Sequence, residues 1–154
     1  MAKEIERKFL VDAWLLPYLT NGKKIKQGYI SKDNNTVRVR IIEGEAYITI
    51  KGKQKGITRL EFEYQIPMED AKEMMEELCG DLIVEKTRYL LPSDKEGQVW
   101  ELDVFEGRNK GLIIVEIELE DENEEISFPE WILEEVMDKK YNNSNLSFCP
   151  YSIW

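Results

Sequence analysis

Residues 36 to 66 alternate apolar and polar side chains with a period of two, the period of an extended strand. V-R-V-R sets Arg38 and Arg40 against Val37, Val39 and Ile41, and Y-I-T-I-K sets Tyr47, Thr49 and Lys51 against Ile48 and Ile50. R-L-E-F-E-Y sets Arg59, Glu61 and Glu63 against Leu60, Phe62 and Tyr64. The pattern recurs at E-I-E-R-K-F, where Glu4, Glu6 and Lys8 oppose Ile5, Arg7 and Phe9. It recurs again at E-K-T-R-Y (Lys86, Arg88), W-E-L-D-V (Glu101, Asp103) and V-E-I-E-L (Glu116, Glu118). With turn residues between them, these runs predict strands over residues 3–10, 25–31, 36–42, 46–52, 58–66, 83–91, 98–105 and 112–120. Glu43-Gly44-Glu45 closes a hairpin, Gly52–Gly56 and the G-R-N-K-G run at 107–111 are turns, and a short turn at 12–19 is broken by Pro17.

Two helices are expected. Residues 69–79 gather Ala71, Met74, Met75, Leu78 and Cys79 on one stripe, with Gly80 placed to end the helix. Residues 128–139 follow a capping box of Ser127 and Glu130, and the tail from Tyr141 reads as irregular. The tryptophans Trp14, Trp131 and Trp154 are read as packing, Trp100 as facing away from Asp103, and Tyr29 and Tyr47 as candidates for a polar interior.

Alternation alone fits a solvated sheet face as well as the wall of a cavity. The charges, however, are sorted by sign: acid pairs at 4/6, 61/63, 101/103 and 116/118, base pairs at 38/40 and 86/88. Side chains two residues apart on a strand stand ~7 Å apart, and surfaces built only for solubility avoid such like-charge neighbours. A closed barrel with the charged faces inward accounts for the sorting, because acids and bases on different strands then share one hollow and the apolar faces pack outside. Carboxylates there suit a hard divalent cation such as Mg²⁺ or Mn²⁺, and arginines suit an anion with many oxygens. A hollow with both halves matches a cation-bound polyphosphate.

Composition removes other chemistry. The chain has 154 residues, enough for one domain over 1–154, and no histidine, so Ser-His and Cys-His pairs and imidazole-ligated metals are excluded. Cys79 and Cys149 are lone thiols, no run reaches membrane-span length, and no signal-peptide core is present; a cytoplasmic protein is expected. A net charge of −10 disfavours nucleic-acid and anionic-membrane partners, leaving a small anion as the expected partner of a monomer or homodimer.

These motifs, in this order and over nearly the whole chain, resemble the CYTH superfamily, the triphosphate tunnel metalloenzymes, beginning with Glu-x-Glu-x-Lys at residues 4–8. The resemblance implies an eight-stranded antiparallel closed β-barrel with flanking helices. It implies a triphosphate held by Lys8, Arg38, Arg40, Lys51, Arg59, Lys86 and Arg88, and Mg²⁺ or Mn²⁺ held among Glu4, Glu6, Glu61, Glu63, Asp103, Glu116 and Glu118. Lys8, Glu6 and Arg40 would serve the chemical step, and Lys139 or Lys140 with Tyr141 falls in a region that closes one tunnel mouth in some relatives. The implied reaction is hydrolysis of tripolyphosphate, or of a nucleoside or thiamine triphosphate, by a metal-activated water attacking the terminal phosphorus. The alternatives are a class IV-type adenylate cyclase and a non-catalytic polyphosphate or nucleotide binder.

Overall fold

The tightest turn sets the register of the sheet. Glu43 and Gly44 have φ of 43° and 78°, the left-handed pair that a two-residue hairpin needs, so Ile42 lies opposite Glu45. In the computed structural model, which describes residues 2–154, this hairpin joins β3 (Thr36–Ile42) to β4 (Glu45–Lys51). The remaining strands are β1 (Lys3–Val11), β2 (Lys23–Ser31), β5 (Thr58–Ile66), β6 (Ile83–Pro92), β7 (Val99–Phe105), β8 (Ile113–Glu118) and β9 (Ile132–Glu135). All pairings are antiparallel, in the order β5-β4-β3-β2-β6-β7-β8-β1, and β1 closes the barrel on β5 through Lys3–Leu60, Glu4–Arg59 and Ile5–Thr58. The expected eight-stranded closed barrel is present, with β9 as a ninth strand outside it.

Strand parity places the core on the outside of the barrel wall. Ile5, Phe9, Trp100, Leu102, Val115 and Ile117 point outward and are buried beneath Leu15, Leu119 and Trp131. Trp100 and Phe9 meet edge-to-face at 5.9 Å, and Trp131 meets Trp100 at 5.8 Å. Helix α1 (Met68–Leu78) lays Ala71 and Met75, with Cys79, over Val39 and Ala46 of the next wall. Gly80 follows with φ of 58°, the left-handed exit that glycine takes most readily. A third apolar cluster lies inside one end of the barrel, where Tyr29, Val84, Phe105 and Ile114 pack with Leu146 of α2 (Asn143–Phe148). That layer closes one end.

Several expectations are corrected. Residues 128–139 are not a helix: Ile132–Glu135 form β9, and the Ser127–Glu130 capping box is absent. The cause is tertiary. Beyond Ile5, β1 leaves β5 and presents a free edge, to which β9 bonds with Phe9 opposite Glu135 and Val11 opposite Ile132. Arg7 adds a bidentate pair to Glu135 at 2.8 and 2.6 Å, so edge satisfaction and a fork-to-carboxylate contact override local periodicity. The tail is not irregular either, since α2 is followed by a 3-10 turn at Tyr151–Ile153. Trp14 and Trp154 stay 48% and 42% exposed, so neither fills an interior gap. No helix among the described residues is long and apolar enough to cross a membrane.

Candidate functional site

The inward face of each strand meets in one polar hollow of about 180 Å³. Thirteen of the fourteen residues singled out by sequence line it: Glu4, Glu6, Lys8, Arg38, Arg40, Lys51, Arg59, Glu61, Glu63, Lys86, Arg88, Glu116 and Glu118. Asp103 is the exception. It points inward like Glu101 on the same strand but lies fully buried beneath Lys86 and Arg88, with Lys86 Nζ at 2.7 Å and the Arg88 guanidinium donating to both its oxygens at 2.8 and 2.9 Å. Both oxygens are already engaged. Tyr29 reaches the hollow, whereas Tyr47 does not and bonds to Glu45.

The acids cluster where β1 meets β8. Glu6 stands directly opposite Glu118, and Lys8 opposite Glu116, which in turn faces Glu101 of β7. Lys8 bridges Glu116 at 3.0 Å and Glu6 at 3.5 Å, while Lys51 bridges Glu4 at 3.1 Å and Glu61 at 3.3 Å. Two lysines do not balance this wall. Burial, together with Glu116 and Glu4 and against the pull of Lys8, holds the Glu6 carboxyl well above the ordinary glutamate range. Burial raises Glu4 and Glu118 as well, Lys51 opposing it and neighbouring carboxylates adding to it. Glu116 goes the other way: burial opposes its charge, but Lys8, Arg88 and Lys86 prevail and lower it. Burial likewise opposes the Lys8 ammonium, and Glu116 with Glu6 outweighs it, raising the lysine.

The bases face them from β3 and β6. Burial, with Arg38 and Arg88 nearby, brings Arg40 down to about 10, and burial with Arg88 and Arg40 brings Lys86 to about 7 against the attraction of Asp103. Arg38 reaches Glu63 at 3.4 Å and Thr49 at 3.1 Å, yet its buried Nε has no partner. Arg40 forms no ion pair among the described residues; its Nε donates to Gln27 Oε1 at 2.9 Å. Crowded cations and an orphaned guanidinium N–H mark a place for an anion. Crowded, under-neutralised carboxylates mark a place for a hard cation, and oxygen donors are the right chemistry for Mg²⁺ or Mn²⁺. Among the described residues no three acidic or cysteine side chains converge on one chelating point; Lys8 and Lys51 contact Glu116 and Glu4.

Sequence reasoning left out five lining residues of consequence. Glu101 sits on a recognised stripe and bonds Arg88 at 3.2 Å, so parity alone could have found it. Thr36 bonds Arg59 at 3.4 Å. Asn142, Asn143 and Ser144 come from the tail, where nothing periodic announces an inward-facing side chain. The lining segment is 142–144, while Lys139 lies at an adjoining opening that shares Glu6, Lys8, Gln54, Ile57 and Asn142 with the hollow. Lys140 instead stacks on Trp154 and Tyr141.

Known proteins share this architecture. The CYTH domain model matches residues 2–147. An inorganic triphosphatase of Acetivibrio thermocellus is 47% identical over 153 residues, 98% of this chain and 97% of that protein. An inorganic triphosphatase of Nitrosomonas europaea is 37% identical over 94% of this chain and 96% of its own length. The crystal structure of an inorganic triphosphatase superposes with a TM-score of 0.64 at 35% identity, covering 96% of this chain and 95% of the other. A family match that runs from the first inward glutamate to the helix closing the barrel, on a chain with this interior, leaves one assignment: the chain belongs to the CYTH domain family.

Proposed function

We propose that this chain is a metal-dependent triphosphatase that hydrolyses inorganic tripolyphosphate to pyrophosphate and orthophosphate. The observation that carries the reading is the two-signed interior, in which bases on β3 and β6 face under-neutralised acids on β1 and β8. Near-complete alignment with two relatives called inorganic triphosphatase supports it. Arg38, Arg40, Lys86 and Arg88 neutralise the phosphate oxygens and fix the chain of phosphoryl groups in line. Burial strengthens each of those contacts by excluding water. Glu4, Glu6, Glu116 and Glu118 would hold Mg²⁺ or Mn²⁺, which supplies a more acidic water and neutralises oxygens on the phosphate. Glu6, which faces Glu118 across the β1–β8 ladder, would take the proton of the attacking water. That water's oxygen bonds to the terminal phosphorus as the bridging oxygen departs with the pyrophosphate. Lys8, held cationic between Glu6 and Glu116, steadies the acids around the reacting oxygen.

A nucleotide substrate needs a surface for its base, and the hollow offers only Ile57 and Tyr29 as apolar or aromatic lining. The cytoplasm, where both thiols stay free, suits such an enzyme. The purified protein with tripolyphosphate and Mg²⁺ or Mn²⁺ is expected to release orthophosphate and pyrophosphate in equal amounts. Formation of cyclic AMP from ATP, or binding without turnover, overturns the reading. Arg38→Ala is expected to raise KM for tripolyphosphate by ~10–100-fold, the worth of a charged hydrogen bond; an unchanged KM contradicts its role.

The raised carboxylates also set a pH dependence. Because Glu4, Glu6 and Glu118 take up protons above the ordinary glutamate range, cation and proton compete for them at higher pH than usual. Apparent affinity for Mn²⁺, measured by calorimetry, is expected to fall as pH drops from 8 toward 5, with proton release on binding. Equal affinity at both ends contradicts the assignment of these acids.

A further inference from the structure

Gln27 is the only fully buried amide side chain among the described residues, and every direction in which its head group bonds is informative. It projects inward from β2 beside Tyr29. Arg40 Nε lies 2.9 Å from one end of the amide, and a guanidinium can only donate, so that end is Oε1. The other end, Nε2, therefore donates both its hydrogens: one to Tyr29 Oη at 2.8 Å, the other to Asn143 Oδ1 at 3.2 Å. The orientation of Asn143 agrees with this, since Lys86 Nζ donates to the same Oδ1 at 2.9 Å. No rotation of the Gln27 amide satisfies all three neighbours except this one.

We propose that Gln27 is a positioning residue that locks the Arg40 guanidinium and the Tyr29 hydroxyl to the Asn143 amide, so that the grip on an anion in the hollow depends on the C-terminal helix being seated in the barrel end. The proposal rests on the triphosphatase reading for its substrate but not for its geometry. Arg40 has no carboxylate partner among the described residues, so Gln27 is the group that aims its planar fork. Tyr29 accepts from Gln27, which leaves its hydroxyl hydrogen free to point into the hollow. Asn143 opens α2, whose Leu146 is buried against the inward apolar layer at Val84, Phe105 and Ile114. Unseating α2 removes the acceptor that Gln27 and Lys86 share; Lys86 keeps Asp103 at 2.7 Å, whereas the Gln27 amide that aims Arg40 loses one of its three anchors. The segment shares no hydrogen bond with Arg40 among the described residues and is linked to it through the Gln27 amide.

Gln27→Met keeps the side chain's length and removes all three bonds. It is expected to raise KM for tripolyphosphate roughly tenfold while kcat changes by less than ~3-fold, the pattern of lost substrate grip. Amide hydrogen exchange at Leu146 and Cys149, whose N–H groups bond within α2, is expected to quicken roughly tenfold in the same variant. Arg40→Ala is expected to quicken exchange at those two amides as well, and Asn143→Ala combined with Arg40→Ala to raise KM by less than the product of the single effects. If Gln27→Met does not fold, the Arg40 and Asn143 variants decide the matter from either side. Unchanged exchange at Leu146 in Arg40→Ala, or fully multiplicative KM effects, overturns the proposal. A wild-type protein that binds but does not cleave tripolyphosphate refutes the triphosphatase reading instead, and the exchange measurements still decide the coupling.

Discussion

Replacing Glu6 with glutamine is expected to cut turnover of tripolyphosphate by ~10²–10³-fold and, at the same time, to make the protein harder to unfold. The two effects share one cause. Glu6 is largely enclosed, stands opposite Glu118 across the β1–β8 ladder, and has its pKa raised well above that of a free glutamate by burial and by Glu116. A group whose folded pKa exceeds its unfolded one stabilises the fold when protonated; that contribution is complete below the unfolded pKa and lost as pH rises through the folded one. Above the unfolded pKa, ionisation therefore favours the unfolded chain, a penalty that the neutral amide removes. A rise in Tm of about 2–4 °C corresponds to ~1 kcal/mol in a domain this size. The gain should vanish toward pH 4, where wild-type Glu6 is itself neutral. Saturating Mn²⁺ should reverse the order, because the cation stabilises the wild type and has lost a ligand in the variant. A Glu6→Gln protein that melts lower than wild type at pH 8 without metal contradicts this account of the acidic wall.

The second large effect has the opposite sign. Asp103→Asn, nearly the same shape, is expected to destabilise the fold by ~3–5 kcal/mol and lower Tm by about 10 °C. Asp103 lies inside the barrel beneath Lys86 and Arg88 and holds both in place with its two oxygens. Burial opposes its charge, yet Lys86 and Arg88 prevail and lower its pKa. A depressed carboxylate contributes stability that is present above the unfolded pKa, ~3.9, and fades as pH falls through the folded value. The deficit of Asp103→Asn should thus be plain at pH 7 and close below about pH 4. Tripolyphosphate should restore part of the lost Tm at neutral pH by supplying negative charge to the same cations. Unfolding free energies from urea titration that agree within about 1 kcal/mol at pH 7 would show that Asp103 is not the counter-ion holding this pair.

These two acids show where sequence stops being informative. Parity told Glu6 from Ile5 and Asp103 from Leu102, and that sorting was enough for the barrel, because a period of two with one apolar face admits few closed arrangements. Parity does not say which inward acid meets which inward base. That depends on depth along the barrel axis and on cross-strand register: Arg88 lies opposite Asp103, whereas Glu6 lies opposite another carboxylate. The β9 segment was misread for a related reason. Its residues have an acceptable helical pattern, and only the free edge of β1 at Phe9 and Val11, with Arg7 waiting beside it, turns them into a strand. Asn142 to Ser144 were illegible altogether, since polar residues in a tail gain a purpose only when Leu146 seats the segment in the barrel end.

The central claim is that acids and bases from seven of the eight barrel strands converge on one hollow built for a triphosphate with its cation. Crystals grown with Mn²⁺ and a non-hydrolysable imido analogue of tripolyphosphate test it most directly. The account predicts phosphate density along Arg38, Arg40 and Lys86, with anomalous scattering from manganese beside Glu4, Glu6 and Glu118. Phosphate and metal bound only on the outer surface, with the interior charges still paired among themselves, would contradict it.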